Sequence, residues 1–200
     1  MNKFSKGILA MMLMIVTSIS VFAQENETNK TDRTKFSIEI DPATFVFSGF
    51  AIHLRVQPKN SQHLLVGAGA YAMNFPDILV DLNKENKGAG WDVRLNQGYG
   101  LFGEYHFSEV NKKWYVGVQL AGQEYKIQKD LYDGEAKYST MLLMGLGGYT
   151  LQPFDFPLYF KFWGGVGYTG KISGENLIGN AEYNISPILI FGALHVGYTF

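Results

Sequence analysis

Long runs of period-two alternation, polar faces built from glycine and a few charges, and short connections that alternate with longer ones together predict an all-β fold. The form they specify is an eight-stranded antiparallel up-and-down β-barrel that crosses a membrane. The period is plainest from 92 to 107. Val93, Leu95, Tyr99, Leu101, Tyr105 and Phe107 occupy one face, and Asp92, Arg94, Asn96, Gly98, Gly100, Glu104 and His106 occupy the other. Strands of soluble proteins average about five or six residues, so a run this long is itself a signal. Hydrophobic residues are 46% of the chain while the mean hydropathy is close to zero, so apolar and polar positions are interleaved rather than blocked.

The strands are expected in order at 36–41, 44–57, 62–74, 92–107, 114–127, 138–152, 158–170 and 187–200. The first, FSIEID, reads as a short strand closed by a tight turn at Pro42-Ala43, as a loop, or as part of one bent strand running through Pro42. Counting it makes the strand number even, as a barrel with both ends on one side requires. Phe50, Ile52, Leu54 and Val56 alternate with Ala51, His53, Arg55 and Gln57; Trp114, Val116, Val118 and Leu120 alternate with Tyr115, Gly117, Gln119 and Ala121. The runs at 158–169 and 188–200 follow the same script. Connections at 58–61, 108–113 and 153–157 are short, and those at 76–90, 129–137 and 171–186 are mostly longer and polar. Tight turns on one side and larger loops on the other are the asymmetry of an outer-membrane barrel.

Physics favours closure. In a bilayer every backbone N–H and C=O must pair internally, so only helices and closed barrels span. Eight strands enclose a lumen filled by side chains rather than a pore. His53, Arg55, Arg94, Glu104, Lys161 and His195 all fall on the expected inward faces. Buried charges need partners, so an interior salt-bridge and hydrogen-bond network is expected, with a small polar pocket or proton path as the functional alternative. Trp91, Tyr105, Phe107, Trp114, Tyr138, Tyr159, Tyr198 and Phe200 cluster near strand ends and read as two girdles at the membrane–water boundaries. A soluble β-sandwich or lipocalin-like barrel also has period two, but its polar face would be rich in Lys, Glu and Thr.

Residues 1–23 read as a signal peptide: Lys3 and Lys6 precede the short apolar run Ile8 to Val16, and Val21-Phe22-Ala23 offers a small residue before the cut. Residues 24–35 are polar and aperiodic, a flexible leader, and 36–200 form the barrel. No cysteine is present, which excludes disulfides, thiolate catalysis, Cys-ligated zinc and an acylated lipoprotein cysteine. The net charge of −1 gives no reason to expect a nucleic-acid partner.

The chain ends HVGYTF, with Tyr198 and Phe200 on the outward face. This resembles the C-terminal signature of Gram-negative outer-membrane barrels, which the barrel-assembly machinery reads during biogenesis. The region 36–200 resembles small eight-stranded barrels of the OmpA/OmpX type, and the hairpin GEYHFSEVNKKWYVG (Gly103 to Gly117) is similar to hairpins in outer-membrane barrels of Bacteroidota. The resemblance implies an outer-membrane location, with membrane lipid and the assembly machinery as partners. It leaves the role open, because small barrels host adhesins, enzymes, anchors and structural proteins.

A non-enzymatic structural or surface-interaction role is the first expectation. The alternative is a lipid-modifying enzyme: His106-Phe107-Ser108, with Glu104 and Glu109 nearby, resembles the His/Ser spacing of lipid A deacylases, with His as base, Ser as nucleophile and a carboxylate as orienter. Against it, Glu109 departs from that family's pattern, the trio lies at a short turn, and His106 faces inward. A third reading is an accessory or transport barrel in a larger envelope complex. No cofactor or metal is expected: the four histidines are far apart in sequence, and the glycine-rich stretches lie in strands without the helix a phosphate loop needs. In the loop after Pro76, Ile78, Leu79, Val80 and Leu82 form an apolar patch that either folds back over the barrel mouth or meets a partner.

Overall fold

The computed structural model describes residues 33–200; the expected signal peptide (1–23) and residues 24–32 of the expected leader lie outside them. The strands are β1 Lys35–Ile40, β2 Phe50–Gln57, β3 Leu64–Asn74, β4 Trp91–His106, β5 Lys113–Lys129, β6 Ala136–Leu151, β7 Leu158–Gly174, the two-residue pair β8 Leu177–Ile178 and β9 Ala181–Glu182, and β10 Ile188–Thr199. Two short helices, α1 Pro42–Val46 and α2 Asp77–Val80, complete the elements. Eight strands close in the order β1-β10-β7-β6-β5-β4-β3-β2, every pairing antiparallel, while β8 and β9 pair apart in a loop. Among the described residues no helix is long and apolar enough to cross a membrane.

FSIEID is a strand of its own. β1 pairs β2 from Lys35↔Gln57 to Ile40↔Ile52 and β10 from Ser37↔Thr199 to Ile40↔Val196, so it closes the ring. The Phe200 amide donates to the Phe36 carbonyl at 2.8 Å, which ties the last residue to this seam. The tight turn expected at Pro42-Ala43 is instead the start of α1, and the strand expected at 44–57 begins only at Phe50. Asp41 caps the helix by accepting from the Ala43 amide at 2.9 Å, and Pro42 supplies the φ of a first helical turn.

Connections at 58–63, 107–112 and 152–157 lie at the end that holds both barrel termini, and 41–49, 75–90, 130–135 and 175–187 lie at the other. The loop at 130–135 is no longer than the turns opposite, so the size asymmetry rests on the other connections.

The alternation holds through most of the wall. Leu101, Trp114, Val118, Leu143, Phe162, Val166, Tyr168 and Ile190 are exposed on the outside, while Ser37, Glu39, His53, Arg55, Glu104, Tyr115, Tyr159, Lys161 and His195 are buried inside. It fails at bulges. In β4, Leu95 pairs Tyr125 and Gln97 pairs Glu124, so Asn96 has no opposite number. One extra residue reverses the phase. Below the bulge Gly98, Phe102, Glu104 and His106 turn inward; above it Trp91, Val93 and Leu95 do. Val93 and Leu95 therefore do not share a face with Tyr99 and Leu101. Ile172 is an extra residue of β7 at a second shift, and a third lies between Tyr71 and Met73.

Val93, Leu95, Tyr125, Ile127, Tyr138 and Trp91 build an apolar plug inside the long-loop end, completed by Val80, Ile178 and Tyr183 from the loops. Each such side chain removed from water contributes about 1.5–3 kcal/mol. The loops are clasped over it by asparagines. Asn83 and Asn86 both donate to the Asn184 carbonyl at 2.9 Å, and the Asn184 amide donates back to Asn86 at 2.9 Å. The apolar loop patch divides: Val80 folds into the plug and Leu79 packs against it, while Ile78 and Leu82 stay exposed.

Candidate functional site: the buried charge cluster and the cavity above it

The short-turn half of the lumen holds a compact charge cluster. Its hub is Glu39, placed by β1 and fully buried. Arg55 on β2 donates through Nε to Glu39 Oε2 at 3.0 Å, with its Nη2 also 3.0 Å from that oxygen. Lys161 on β7 donates to Glu39 Oε1 at 2.7 Å and to Glu104 Oε2 at 2.9 Å. The Tyr159 hydroxyl donates to Glu39 Oε1 at 2.9 Å. Arg55 Nη1 lies 3.3 Å from Glu104 Oε1 without hydrogen-bond geometry, and its guanidinium sits 4.3 Å from the centre of the Phe102 ring. Two carboxylates thus face two cations, and the cluster is charge-balanced. Balance and multiple hydrogen bonds are what let ions persist away from water.

The histidines frame this cluster. His195 lies with Nδ1 3.1 Å from Glu39 Oε2, and its Nε2 accepts from the Trp163 indole at 3.1 Å. The indole can only donate, so Nε2 is bare and the proton sits on Nδ1, donated to Glu39. His53 stacks on His195 with ring centres 4.6 Å apart. His106 stacks on Tyr115 and reaches Glu104 Oε2 with Nε2 at 3.3 Å.

Of the six residues expected to form the interior network, His53, Arg55, Glu104, Lys161 and His195 converge here, while Arg94 does not. It lies above the Asn96 bulge, where the phase is reversed, and its guanidinium donates to the Ser48 carbonyl and to Asn74 on the outer rim. Glu39, the hub, is absent from the expected set although FSIEID places it inward between Phe36, Ile38 and Ile40. A carboxylate at an inward position, between the outward Ile38 and Ile40, was the available signal. Trp91, Tyr138 and Tyr159, expected in outer girdles, are buried within the lumen. Tyr105, Phe107, Trp114, Tyr198 and Phe200 do lie outside at the short-turn end.

The trio His106, Ser108 and Glu104 is only partly assembled. Glu104 meets His106, but no hydrogen bond joins His106 to Ser108 among the described residues, and His106 Nδ1 has no partner there. The Ser108 carbonyl instead lies 2.7 Å from His63 Nδ1. Glu109 turns to Lys112 at 2.7 Å, a contact that holds its carboxyl below the usual range.

Glu39, His53 and His195 bring three potential metal-ligand atoms within 4.8 Å of one another. The donor set does not suit a cation. Both Glu39 oxygens already hold Arg55 and Lys161, and both His195 nitrogens are engaged.

Above the cluster lies a cavity of about 80 Å³ with mostly apolar walls, His53 and His195 forming part of its lining. Met73, Leu95, Phe102, Leu142, Met144 and Phe191 line it; Tyr71, Gln119 and Gln123 supply a small hydrogen-bonded polar edge.

The sequence matches no protein-family model and no curated protein.

Proposed function

We propose that this chain is an integral outer-membrane protein of a Gram-negative bacterium, a small barrel of the OmpA/OmpX type with a structural or surface-interaction role and no catalytic activity. The observation that carries the reading is the inverted distribution of side chains. Lys161, Arg55 and Glu39 are at most 2% exposed inside, while Leu101, Val166 and Ile190 are 62%, 56% and 68% exposed outside. Water would favour the opposite arrangement; a hydrocarbon phase around the barrel favours this one. Six of the eight wall strands, from the 11 residues of β3 upward, meet the length of about 9–11 that a tilted spanning strand needs.

Export by the amino-terminal signal and recognition of Tyr198 and Phe200 by the assembly machinery follow from the same reading. An apolar terminal strand can be captured by strand addition before β1 closes the ring. The exposed Ile78, Leu82 and Leu131 at the long-loop end supply the surface through which it would meet a partner.

The test is physical. The barrel should require detergent or lipid to stay monodisperse, and unboiled samples should migrate differently from boiled ones on SDS gels. A protein that is monomeric in water without detergent would sink the reading. The non-enzymatic part is tested separately: Ser108→Ala and His106→Ala should leave the cell's lipid A profile unchanged, and an altered profile would replace it with the lipid-modifying alternative.

A further inference from the structure

The ladder is incomplete at one place in the wall. β10 pairs β7 from Ile188 to Tyr198, but on its other side pairs β1 only from Val196 to Thr199. β1 stops at Ile40 and the chain turns into α1, whose exit is tied to β3 through the Asn74 amide and the Phe47 carbonyl. The edge of β10 from Ile188 to His195 therefore faces a helical turn, not a strand. Between α1, α2 and β10 a cleft opens on the outer surface, bordered by Ala43, Phe47, Ile78 and Gly192. It shares Asp41, Thr44, Met73 and Phe191 with the interior cavity, so one layer of side chains separates the two spaces. A second cleft, between residues 75–83 and 183–190 at the long-loop end, shares Phe75, Tyr125 and Leu189 with the cavity and reaches Ile188 and Ile190 of the same β10 edge, while the opposite end of the lumen is filled by the charge cluster. Both clefts flank the unpaired edge of β10.

We propose that the cavity takes the end of an alkyl chain, which enters sideways through the seam between α1 and β10 and lies along the outer cleft. The inner cavity, about 80 Å³, has room for the end of such a chain, and the outer cleft beside it, about 220 Å³, for the methylenes that follow. Apolar walls hold water poorly, and a dry apolar cavity gains by accepting an apolar guest. The rim chemistry matches the same guest: Phe45 and Phe50 on one side of the seam, Ile188 and Ile190 on the other, are all exposed. Opening this seam breaks no strand ladder, whereas opening any other part of the wall would. The buried ions at the floor exclude a charged head group from the deep end, so the chain enters tail first with its head left outside. This inference rests on the membrane reading above.

The methionines permit a test that separates the two. Met144 and Met73 line the cavity, and Met141 points outward from the same strand as Met144. Protein deuterated except for 13C-methyl methionine is placed in nanodiscs of protonated phosphatidylcholine, and cross-relaxation from lipid chain protons to each methyl is measured. A second arm uses deuterated lipid with added protonated decanoate. Contacts to Met144 and Met73 in the first arm identify a lipid acyl chain, and contacts only in the second identify a free fatty acid; either supports the proposal. Filling the cavity with Ala51→Phe, or with Leu189→Trp should the first fail to fold, should abolish the inner contacts and leave Met141's unchanged. Contacts to Met141 with none to Met144 or Met73 in either arm would overturn the cavity proposal and leave the membrane reading standing. Inner contacts that survive cavity filling would overturn it too. No contact to Met141 would overturn both.

Discussion

Neutralising the hub of the charge cluster should cost more than any other single polar change in the barrel. Glu39→Gln keeps the shape but removes one of two negative charges facing Arg55 and Lys161. One buried positive charge is left in excess, and the new amide turns a donor toward a site that four donors now use: Arg55, Lys161, Tyr159 and His195. Removing one partner of a buried pair costs about 3–5 kcal/mol. At about 1.36 kcal/mol per power of ten, that shifts the folding equilibrium by roughly two to four powers of ten. Reversible urea unfolding in lipid vesicles, followed by the migration of unboiled samples, measures it. The companion is Glu39→Gln with Lys161→Met, which leaves Glu104 opposite Arg55 and restores the balance. The double variant should be more stable than Glu39→Gln alone, with a coupling above about 1 kcal/mol, as neighbours in one network show. A single variant within about 0.5 kcal/mol of the parent, or strictly additive effects, would refute the idea that the lumen is held by charge balance about Glu39.

The remaining predictions use the same unfolding measurement unless stated. Arg94→Ala should change stability by no more than about 0.5 kcal/mol, because its guanidinium sits on the outer rim and not in the cluster. Gly148→Ala should cost about 1–3 kcal/mol, since the added methyl falls on the Phe162 carbonyl and the Tyr115 ring, whereas Gly145→Ala meets open space outside the wall and should be nearly neutral. Asn86→Ala removes both the donor to the Asn184 carbonyl and the acceptor of the Asn184 backbone amide; it should speed proteolysis within 75–90 severalfold while leaving the gel migration of the barrel intact.

What could be read from the residues followed from simple periodicity. A pleated strand shows its two faces directly, so β2, β5, β7 and β10 and their inward His53, Arg55, Lys161 and His195 were legible one strand at a time. The even count was legible through FSIEID. Arg94 and the pair Val93 and Leu95 were not, because a bulge is a property of two strands: Asn96 is surplus only against the spacing of Tyr125 and Glu124. Trp91 and Tyr138 look like boundary aromatics by position, yet the reversed phase in β4 and the loop-borne Tyr183 bring both into the plug. Glu39 carries the cluster only because closure sets β1 between β2 and β10, which brings Arg55 and His195 to the same carboxylate. The amino-acid order by itself determined an antiparallel sheet with one apolar and one glycine-and-charge face, since both depend on local alternation. Which ions meet, where the phase reverses and where the wall lacks a partner strand were decided by the ring's register, because those are relations between segments far apart in the chain.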